Sequence, residues 1–220
     1  MKFYMTPGSC STGIHLLLEE LGLVFEAHVV DLLHRERMSA DFLSLNPLGT
    51  VPVLVRDDGV CLTGFHAIAL DLAKSFPKRG LLPADGGQAQ HARDVIDVVV
   101  DGIHNEGFRR YFVPESYGVG PEECAQVVRD GRRIAARWFG YLAAMMGDGP
   151  YVLPEFGIAD AAAFYVEFWA DQVGLDMPER CRVHYEAMLQ RPAVRLVLAE
   201  EGYARVLNRH PAPTAARIAG

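Results

Sequence analysis

The chain has 220 residues, of which half are hydrophobic and 22% are charged, so a packed core is expected rather than disorder. A formal net charge of −7 and a pI of about 5.6 argue against nucleic acid as a partner, because no basic face is implied. No apolar run approaches the ~18 residues of a membrane-spanning helix, and the first residues lack the apolar core of a signal peptide. We therefore expect a cytoplasmic protein with no membrane or nucleic-acid partner.

The cysteines are scattered, with no C-x-x-C pair and no histidine at metal-ligand spacing from any of them. Reduced thiols are the natural interpretation, and no metal site is expected. The four positions are Cys10, Cys61, Cys124 and Cys181.

The first part of the chain alternates short strands and helices. KFYM at 2–5 is typical of a strand, and STGIHLLLEELG at 11–22 has apolar residues at helical spacing before a terminating glycine. VFEAHVVDL at 24–32 alternates apolar and polar side chains as a strand does. These patterns predict a β–α–β unit.

A second group of elements completes this unit. SADFLSLN at 39–46 predicts a short helix, after which VPVLV at 51–55 and VCLT at 60–63 predict two strands joined by a DDG turn. A further helix follows them. We expect a compact α/β domain over residues 1–76.

The proline at the start of the third strand allows two interpretations. Inside a central strand it would remove a ladder hydrogen bond, so Pro52 must lie at the strand's first position or on an edge. The Val51–Pro52 bond is either an ordinary trans bond or a cis bond, which would leave the backbone of Val51 free to pair with an extended ligand.

The rest of the chain is predicted to be helical. Residues 77–87 (PKRGLLPADGG) combine helix breakers with charge and are typical of a linker. Helical periodicity without a convincing strand then predicts an all-helical domain over 88–210, and the proline- and alanine-rich end, 211–220, is expected to be disordered. The periodic segments are 88–113, 121–147, 158–173 and 179–190, with a shorter one after Pro192.

Cys10 is a candidate for chemistry because it lies in the turn between the first strand and the first helix. A thiol at a helix N-terminus faces the positive end of the helix dipole, which lowers its pKa and favours the thiolate. The hydroxyls of Ser9 and Ser11 could donate hydrogen bonds to the sulfur. The alternative is a cysteine that only packs in the turn.

A polar stripe marks the first helix of the second half. Asp97, Asp101 and His104 occupy positions i, i+4 and i+7 of an otherwise apolar segment, so an α-helix would place them on one face. Such a face borders either solvent or a cleft.

Five motifs are distributed over nearly the whole chain. They are PGSCSTGIHLLLEELGL near the start, NPLGTVPVLVRDDG in the middle, LLP in the linker, FGIADAAAF in the helical half and RPAV near the end. Together they resemble the cytosolic glutathione transferases, and the bacterial beta class among them. The resemblance implies a thioredoxin-like N-terminal domain followed by an all-helical C-terminal domain, and a homodimer.

The resemblance also implies a glutathione site. Cys10 matches the beta-class cysteine, and Val51–Pro52 matches the cis bond whose backbone pairs with the cysteinyl part of glutathione. His104 matches a catalytic histidine of the second domain, although an extra residue in HNEGF leaves Asn105 as the alternative at that place. Asp97 matches a polar position that reaches the glutathione bound to the neighbouring subunit.

Other positions would surround the second substrate. Trp169 matches an aromatic residue of the electrophile pocket, which Phe108, Phe112 and Ser9 are expected to line as well. Arg35, in the HRER cluster, would pair with the glycine carboxylate of glutathione or remain a solvated surface residue.

The motif FGIAD is the N-capping box of a core helix in the family. Here the usual Ser or Thr cap is Gly157, but Asp160 keeps its place and can still reach back to the helix start. We assign this motif to folding and not to catalysis.

The stretch LTGFHAIALDL departs from the family. There the helix begins with an acidic residue and a serine, whose side chains hold the γ-glutamyl end of glutathione while backbone N–H groups bind its carboxylate. Here those positions are Gly64 and Phe65, and only Thr63 could cap the helix. Losing two charge-assisted hydrogen bonds of roughly 1.5–3 kcal/mol each predicts that glutathione binds about a hundredfold more weakly, or worse.

Three accounts of function follow. In the first, the chain is a glutathione transferase with weakened glutathione binding, which uses glutathione as co-substrate against a small electrophile or disulfide. In the second, it is an enzyme with a different thiol or acyl substrate. In the third, it is a non-catalytic module that binds a ligand or a protein.

Overall fold

The computed structural model describes residues 1–32, 34 and 38–211. Arg35, and the predicted disordered tail apart from Pro211, lie outside the described residues. In chain order the strands and helices are β1 Lys2–Met5, α1 Ser11–Leu21, β2 Glu26–Val29, α2 Ala40–Leu45, β3 Val53–Val55, β4 Cys61–Thr63, α3 Phe65–Ser75, α4 Gly86–Asp97, a π-helix Val98–Phe108, α5 Arg109–Phe112, α6 Pro121–Met145, α7 Ile158–Val173, α8 Glu179–Met188, α9 Pro192–Glu200 and α10 Ala204–Arg209, with short 3-10 turns at Pro77–Arg79 and Pro114–Ser116.

Two compact units make up the chain. We call Met1–Ser75, together with the chain from Glu186 onward, the N-terminal unit, and Phe76–Tyr185 the helical unit. The division by packing therefore falls within α8, whereas the predicted domain 88–210 follows chain order. The predicted boundaries remain a prediction.

The N-terminal unit contains a four-stranded mixed sheet of order β2-β1-β3-β4. β1 pairs in parallel with β2 and antiparallel with β3, and β3 pairs antiparallel with β4. The register sets Phe3 of β1 opposite Leu54 of β3, and both side chains are fully buried. The strand and helix order is the one that the sequence patterns predict for the first part of the chain.

Helix α1 is the central helix of this unit and packs against α3 and α9. Its apolar residues Ile14, Leu17 and Leu18 have no exposed surface. The helix ends at Gly22, whose left-handed backbone (φ +67°) lets its N–H close the last turn on the carbonyl of Glu19. The predicted terminating glycine is thereby confirmed.

The helical unit contains no strand in the part of it that is described. Its first helix, α4, is capped by Asp85, whose side chain accepts a hydrogen bond from the N–H of Gln88 at 2.8 Å. The chain continues from α4 into the π-helix without a break. Helix α7 is the core of the unit, since every residue of 158–170 is buried.

The capping box of α7 is confirmed, and the glycine in it has a steric reason. Asp160 accepts a hydrogen bond from the N–H of Gly157 at 2.7 Å and another from that of Val152 at 2.7 Å. A Cβ on Gly157 would lie 2.5 Å from the carbonyl oxygen of Leu81, so the Ser or Thr of other capping boxes has no room here.

A buried charge network extends from that box across to α8. His184 contacts Glu167 through Nδ1 at 2.7 Å and Asp160 through Nε2 at 3.0 Å, and all three side chains are buried. Burial alone would lower the pKa of His184, but the two carboxylates outweigh it and raise that pKa from 6.5 to about 10. Burial also raises the pKa of Glu167, against the opposing attraction of His184.

None of the described helices combines the length and the apolar character that crossing a bilayer requires.

Candidate functional site

Four predicted site residues of the N-terminal unit, Cys10, Val51, Pro52 and Gly64, lie close together. The Cys10 thiol donates a hydrogen bond to the carbonyl of Val51, with Sγ 3.4 Å from the oxygen. The Val51–Pro52 bond is cis, as the resemblance implies. The carbonyl of Pro52 in turn accepts a hydrogen bond from the N–H of Gly64 at 2.9 Å. The turn before α1, the start of β3 and the start of α3 therefore meet in one place.

The expected low pKa of Cys10 is wrong for this structure. Cys10 is only 8% exposed, and burial raises the pKa of its thiol from 9.0 to about 12. The backbone N–H groups of Cys10 and Ser11 lower that pKa, as the helix dipole should, but by less than burial raises it. Cys10 is accordingly a neutral thiol at pH 7, and it can donate a hydrogen bond.

The serine hydroxyls beside Cys10 are engaged elsewhere. Ser11 Oγ donates to the carbonyl of Thr6 at 3.0 Å and accepts from the Thr6 N–H at 3.0 Å. Ser9 Oγ lies 2.7 Å from Ser11 Oγ and accepts from the Ser11 N–H at 3.1 Å. Because the Ser11 proton is directed at Thr6, the Ser9 hydroxyl donates to Ser11. The expectation that both serines donate to the sulfur is therefore not met, since they brace the turn instead.

The helix that departs from the family is α3, which begins at Phe65. Thr63 is the last residue of β4, so Gly64, and not Thr63, immediately precedes α3. Gly64 has a left-handed backbone (φ +83°), and a Cβ there would meet no atom within 4 Å. Phe65 is only 4% exposed and belongs to the core of the unit. At the position of the family's acidic residue there is therefore room for a side chain, but the backbone conformation is one that few residues other than glycine adopt.

The predicted residues of the helical unit form an aromatic cluster around Trp169. The ring centroid of Trp169 lies 4.9 Å from that of His104, 5.4 Å from that of Phe108 and 5.1 Å from that of Phe112. Phe108 and Trp169 are buried, whereas Phe112 is 46% exposed. His104 and the three aromatic residues that the sequence singles out are therefore brought together.

Tyr165 is a member of this cluster that the sequence does not reveal. Its ring centroid lies 5.0 Å from that of Trp169, and its hydroxyl lies 3.4 Å from His104 Nδ1. Tyr165 precedes Trp169 by one turn of α7, so helical spacing from Trp169 is the signal that could have found it.

His104, and not Asn105, lies at the aromatic cluster. His104 is half-buried against Trp169 and Tyr165, whereas Asn105 is exposed and its amide lies 3.5 Å from Asp101. In a π-helix the backbone hydrogen bonds join residues five apart, whereas in an α-helix they join residues four apart, so each hydrogen-bonded turn holds one residue more. This accounts for the extra residue in HNEGF.

The same π-helix corrects the predicted polar stripe. The α-helical spacing ends at Asp97, the last residue of α4, so positions i+4 and i+7 do not follow the α-helical face. Asp97 and Asp101 are exposed while His104 is half-buried. The expectation of one shared face is therefore wrong.

His104 is expected to titrate far below an ordinary histidine. Burial, followed by the charge of Arg109, lowers its pKa from 6.5 to about 4. The unfolded chain then binds this proton more readily, so the stability that His104 contributes is lost as the pH falls from 6.5 towards 4. Ring resonances followed by NMR should show a midpoint near 4 for the signal that the His104→Gln variant lacks. A midpoint near 6.5 would contradict the half-buried, neutral imidazole.

Comparisons with known proteins identify the family of this chain. Residues 8–75 match the family model for the N-terminal domain of glutathione S-transferase. Glutathione S-transferase GstA of Escherichia coli O157:H7 is 32% identical over 207 residues, which cover 92% of this chain and 99% of that protein. The chain belongs to the glutathione S-transferase family.

Solved structures of other transferases share the fold. A bacterial beta class glutathione S-transferase from Sphingomonas chungbukensis is 30% identical, with a TM-score of 0.79 over 92% of this chain and 100% of that one. A glutathione transferase homolog from Sulfitobacter with bound glutathione is 25% identical, with a TM-score of 0.82 over 90% of this chain and 97% of that one. The predicted fold, a thioredoxin-like domain followed by a helical domain, is confirmed.

Two further features of this chain are not formed by the predicted site residues. In the N-terminal unit, one ligand atom each of His15, Glu19 and Glu200 lie within 4.8 Å of one another, so these residues could hold a metal ion. The expectation of no metal site therefore stays a prediction. In the helical unit, a cleft of about 320 Å³ lies between the linker and the start of α7, and no predicted site residue lines it.

Proposed function

We propose that this chain is a glutathione transferase that joins the glutathione thiol to a small electrophile or exchanges it with a disulfide. The observation that carries the proposal is the convergence of Cys10, Val51–Pro52 and Gly64 within the N-terminal unit, linked by contacts of 3.4 Å and 2.9 Å. The homolog with bound glutathione and the relative of 32% identity support the same substrate.

The conjugation follows ordinary thiolate chemistry. The glutathione thiol gives its proton to solvent, the sulfur forms a bond to the electrophilic carbon, and the leaving group departs with its electron pair. Stabilising the thiolate lowers the pKa of the glutathione thiol towards neutral, and holding the electrophile beside it adds the gain of proximity.

Cys10 would act in this reaction as a hydrogen-bond donor. A thiol with a pKa of about 12 keeps its proton at pH 7, and that proton now points at the Val51 carbonyl. When glutathione pairs with the Val51 backbone, the same S–H can turn to the incoming sulfur anion. In disulfide exchange the deprotonated Cys10 would instead attack one sulfur of the substrate disulfide and form a mixed disulfide with it, while the S–S bond breaks and the other sulfur leaves as a thiolate.

The other positions have secondary roles in the proposal. Backbone N–H groups at the start of α3 would bind the γ-glutamyl carboxylate, weakly because Gly64 and Phe65 offer no polar side chain. Trp169 and Phe112 would contact an apolar electrophile beside a neutral His104. We further propose a cytoplasmic homodimer in which Asp97 reaches the glutathione of the neighbouring subunit.

The proposed donor role separates Cys10→Ser from Cys10→Ala. Serine keeps an O–H donor and should hold the conjugation rate within a few-fold of wild type. Alanine removes a hydrogen bond to a charged sulfur, worth about 1.5–3 kcal/mol, and should lower the rate about ten- to a hundredfold. The measurement is conjugation of glutathione to a chloronitrobenzene, with glutathione affinity taken from calorimetric titration.

The exposed Cys61 supplies the control, because Cys61→Ala removes a thiol that lies outside the predicted site. Its rates should match those of the wild type. Equal losses in the serine and alanine variants of Cys10 would replace the donor role by a nucleophilic one. No heat at several millimolar glutathione, together with no conjugation, would refute the proposed function.

A further inference from the structure

A buried carboxylate joins the end of α9 to the turn that carries Cys10. The Glu201 side chain is almost fully buried. Its Oε2 accepts hydrogen bonds from the N–H of Gly8 at 2.8 Å and from the hydroxyl of Thr12 at 2.7 Å. Its Oε1 lies 2.9 Å from His15 Nδ1. Each oxygen of this carboxylate therefore has a partner on the Cys10 turn or on α1.

The two donors to Oε2 flank Cys10 in the sequence. Gly8 lies two residues before it and Thr12 two residues after it, so one oxygen atom ties both sides of the turn. Tyr203, two residues beyond Glu201, packs on the same turn. A Cβ on Gly8 would lie 2.0 Å from the Tyr203 hydroxyl, and the backbone of Gly8 is left-handed (φ +73°). The segment 201–203 thus holds the turn in two ways: Glu201 through hydrogen bonds and Tyr203 through close packing on Gly8.

We propose that Glu201 is a positioning residue that holds the Cys10 turn closed, so that the thiol stays on the Val51 carbonyl. The inference rests on the proposed role of Cys10 and adds to it a residue more than 190 positions away in the sequence. Without the carboxylate, the buried hydroxyl of Thr12 and the partly buried N–H of Gly8 would lose this acceptor, and the turn would open so that water could replace it. The thiol would then lose the burial that keeps it unreactive.

The test is the alkylation rate of Cys10 by iodoacetamide, followed by mass spectrometry of the full-length protein. Glu201→Ala should speed alkylation at pH 8 at least tenfold and move the midpoint of the pH profile from about 12 towards the ordinary 9.0. Glu201→Gln should restore the wild-type rate, since its carbonyl can accept from Gly8 and Thr12 while its amide faces His15. Recovery by the isosteric variant would show that the acceptor holds the turn.

Glu20→Gln is the matched control. Glu20 of α1 pairs with Arg191, just before α9, at 2.7 Å, so the variant weakens contacts between the same two helices without touching the turn. It should leave the alkylation of Cys10 unchanged. If it accelerated alkylation as much as Glu201→Ala, the effect would be general loosening and the proposal would fail.

A second variant covers the case in which Glu201→Ala does not fold. Thr12→Val keeps the shape of a buried side chain and removes only one donor to Glu201, and it should speed Cys10 alkylation several-fold. An unchanged rate would overturn the proposal. Alkylation needs no glutathione, so a failed glutathione titration would remove the proposed function and leave this result standing.

Discussion

Replacing Gly64 by Asp is expected to tighten glutathione binding about ten- to a hundredfold. The variant returns a carboxylate to the position from which the family holds the γ-glutamyl ammonium group, and one such charge-assisted hydrogen bond is worth about 1.5–3 kcal/mol. The space is available, because a Cβ on Gly64 would meet no atom within 4 Å. Calorimetric titration with glutathione measures the change.

The backbone of Gly64 sets the cost of this change and suggests its control. At a φ of +83° most side chains are strained, but Asp and Asn tolerate the left-handed region, so a loss of about 1 kcal/mol in the free energy of unfolding is expected. Gly64→Asn has the same shape and strain without the charge. Its glutathione affinity should stay close to that of wild type, and equal gains in both variants would remove the electrostatic explanation.

Leaving Phe65 in place keeps this experiment interpretable. Phe65 is only 4% exposed, and replacing a buried phenylalanine by a small residue costs about 3–5 kcal/mol. Restoring the family's serine there would combine a gain in polar contacts with damage to the core of the N-terminal unit. The single change at Gly64 separates the two effects.

The second large effect is expected in the helical unit, where His184→Leu should lower the free energy of unfolding by about 3–5 kcal/mol. The variant leaves Glu167 and Asp160 buried without the charge that lies between them. Glu167 would suffer most, since its Oε1 already has no hydrogen-bond partner among the described residues. Chemical denaturation near pH 7 measures the loss.

A double variant distinguishes a broken ion pair from a simple cavity. When the carboxylate is removed together with the histidine, no unpaired charge is left behind, and such replacements are often close to neutral. His184→Leu combined with Glu167→Leu should therefore be more stable than His184→Leu alone. If the double variant were the less stable of the two, the network would not be held by its charges.

The same network predicts how stability depends on pH. The folded pKa of His184 is about 10 and its unfolded value is 6.5, so its contribution is complete below 6.5 and is lost as the pH rises towards 10. The raised pKa of Glu167 acts in the same direction, because the folded state there also holds a proton more tightly. The free energy of unfolding should fall steadily above pH 7, by at most about 1.4 kcal/mol per pH unit for one proton. In His184→Leu the part of this slope that is due to His184 should disappear.

The sequence predicts local elements of this fold well because their causes are local. Apolar spacing and the glycine at its end define α1, and the DDG turn between two β-branched runs defines the β3–β4 hairpin. The capping box at Gly157 and Asp160 is equally local, with its partners three residues apart. The aromatic cluster around Trp169 followed from family motifs, which summarise packing that the residues alone do not reveal.

What the sequence could not provide depends on contacts between distant parts of the chain. The helix dipole at Cys10 was visible, but the burial that outweighs it comes from Val51 and the surrounding fold. Glu201 carries no signal in its own neighbourhood, since its partners lie at the other end of the chain. The π-helix was missed for a different reason, because its residues are compatible with an ordinary α-helix.

The π-helix also makes one stretch of this chain tolerant of changes in length. A wider helical turn can absorb or release a single residue while the helices on either side keep their packing. Between Val98 and Phe108 an insertion or deletion would therefore exchange the side chain that meets Trp169. Among related proteins, the number of residues in this segment, and not only their identity, becomes a variable that selection can use to reshape the aromatic cluster.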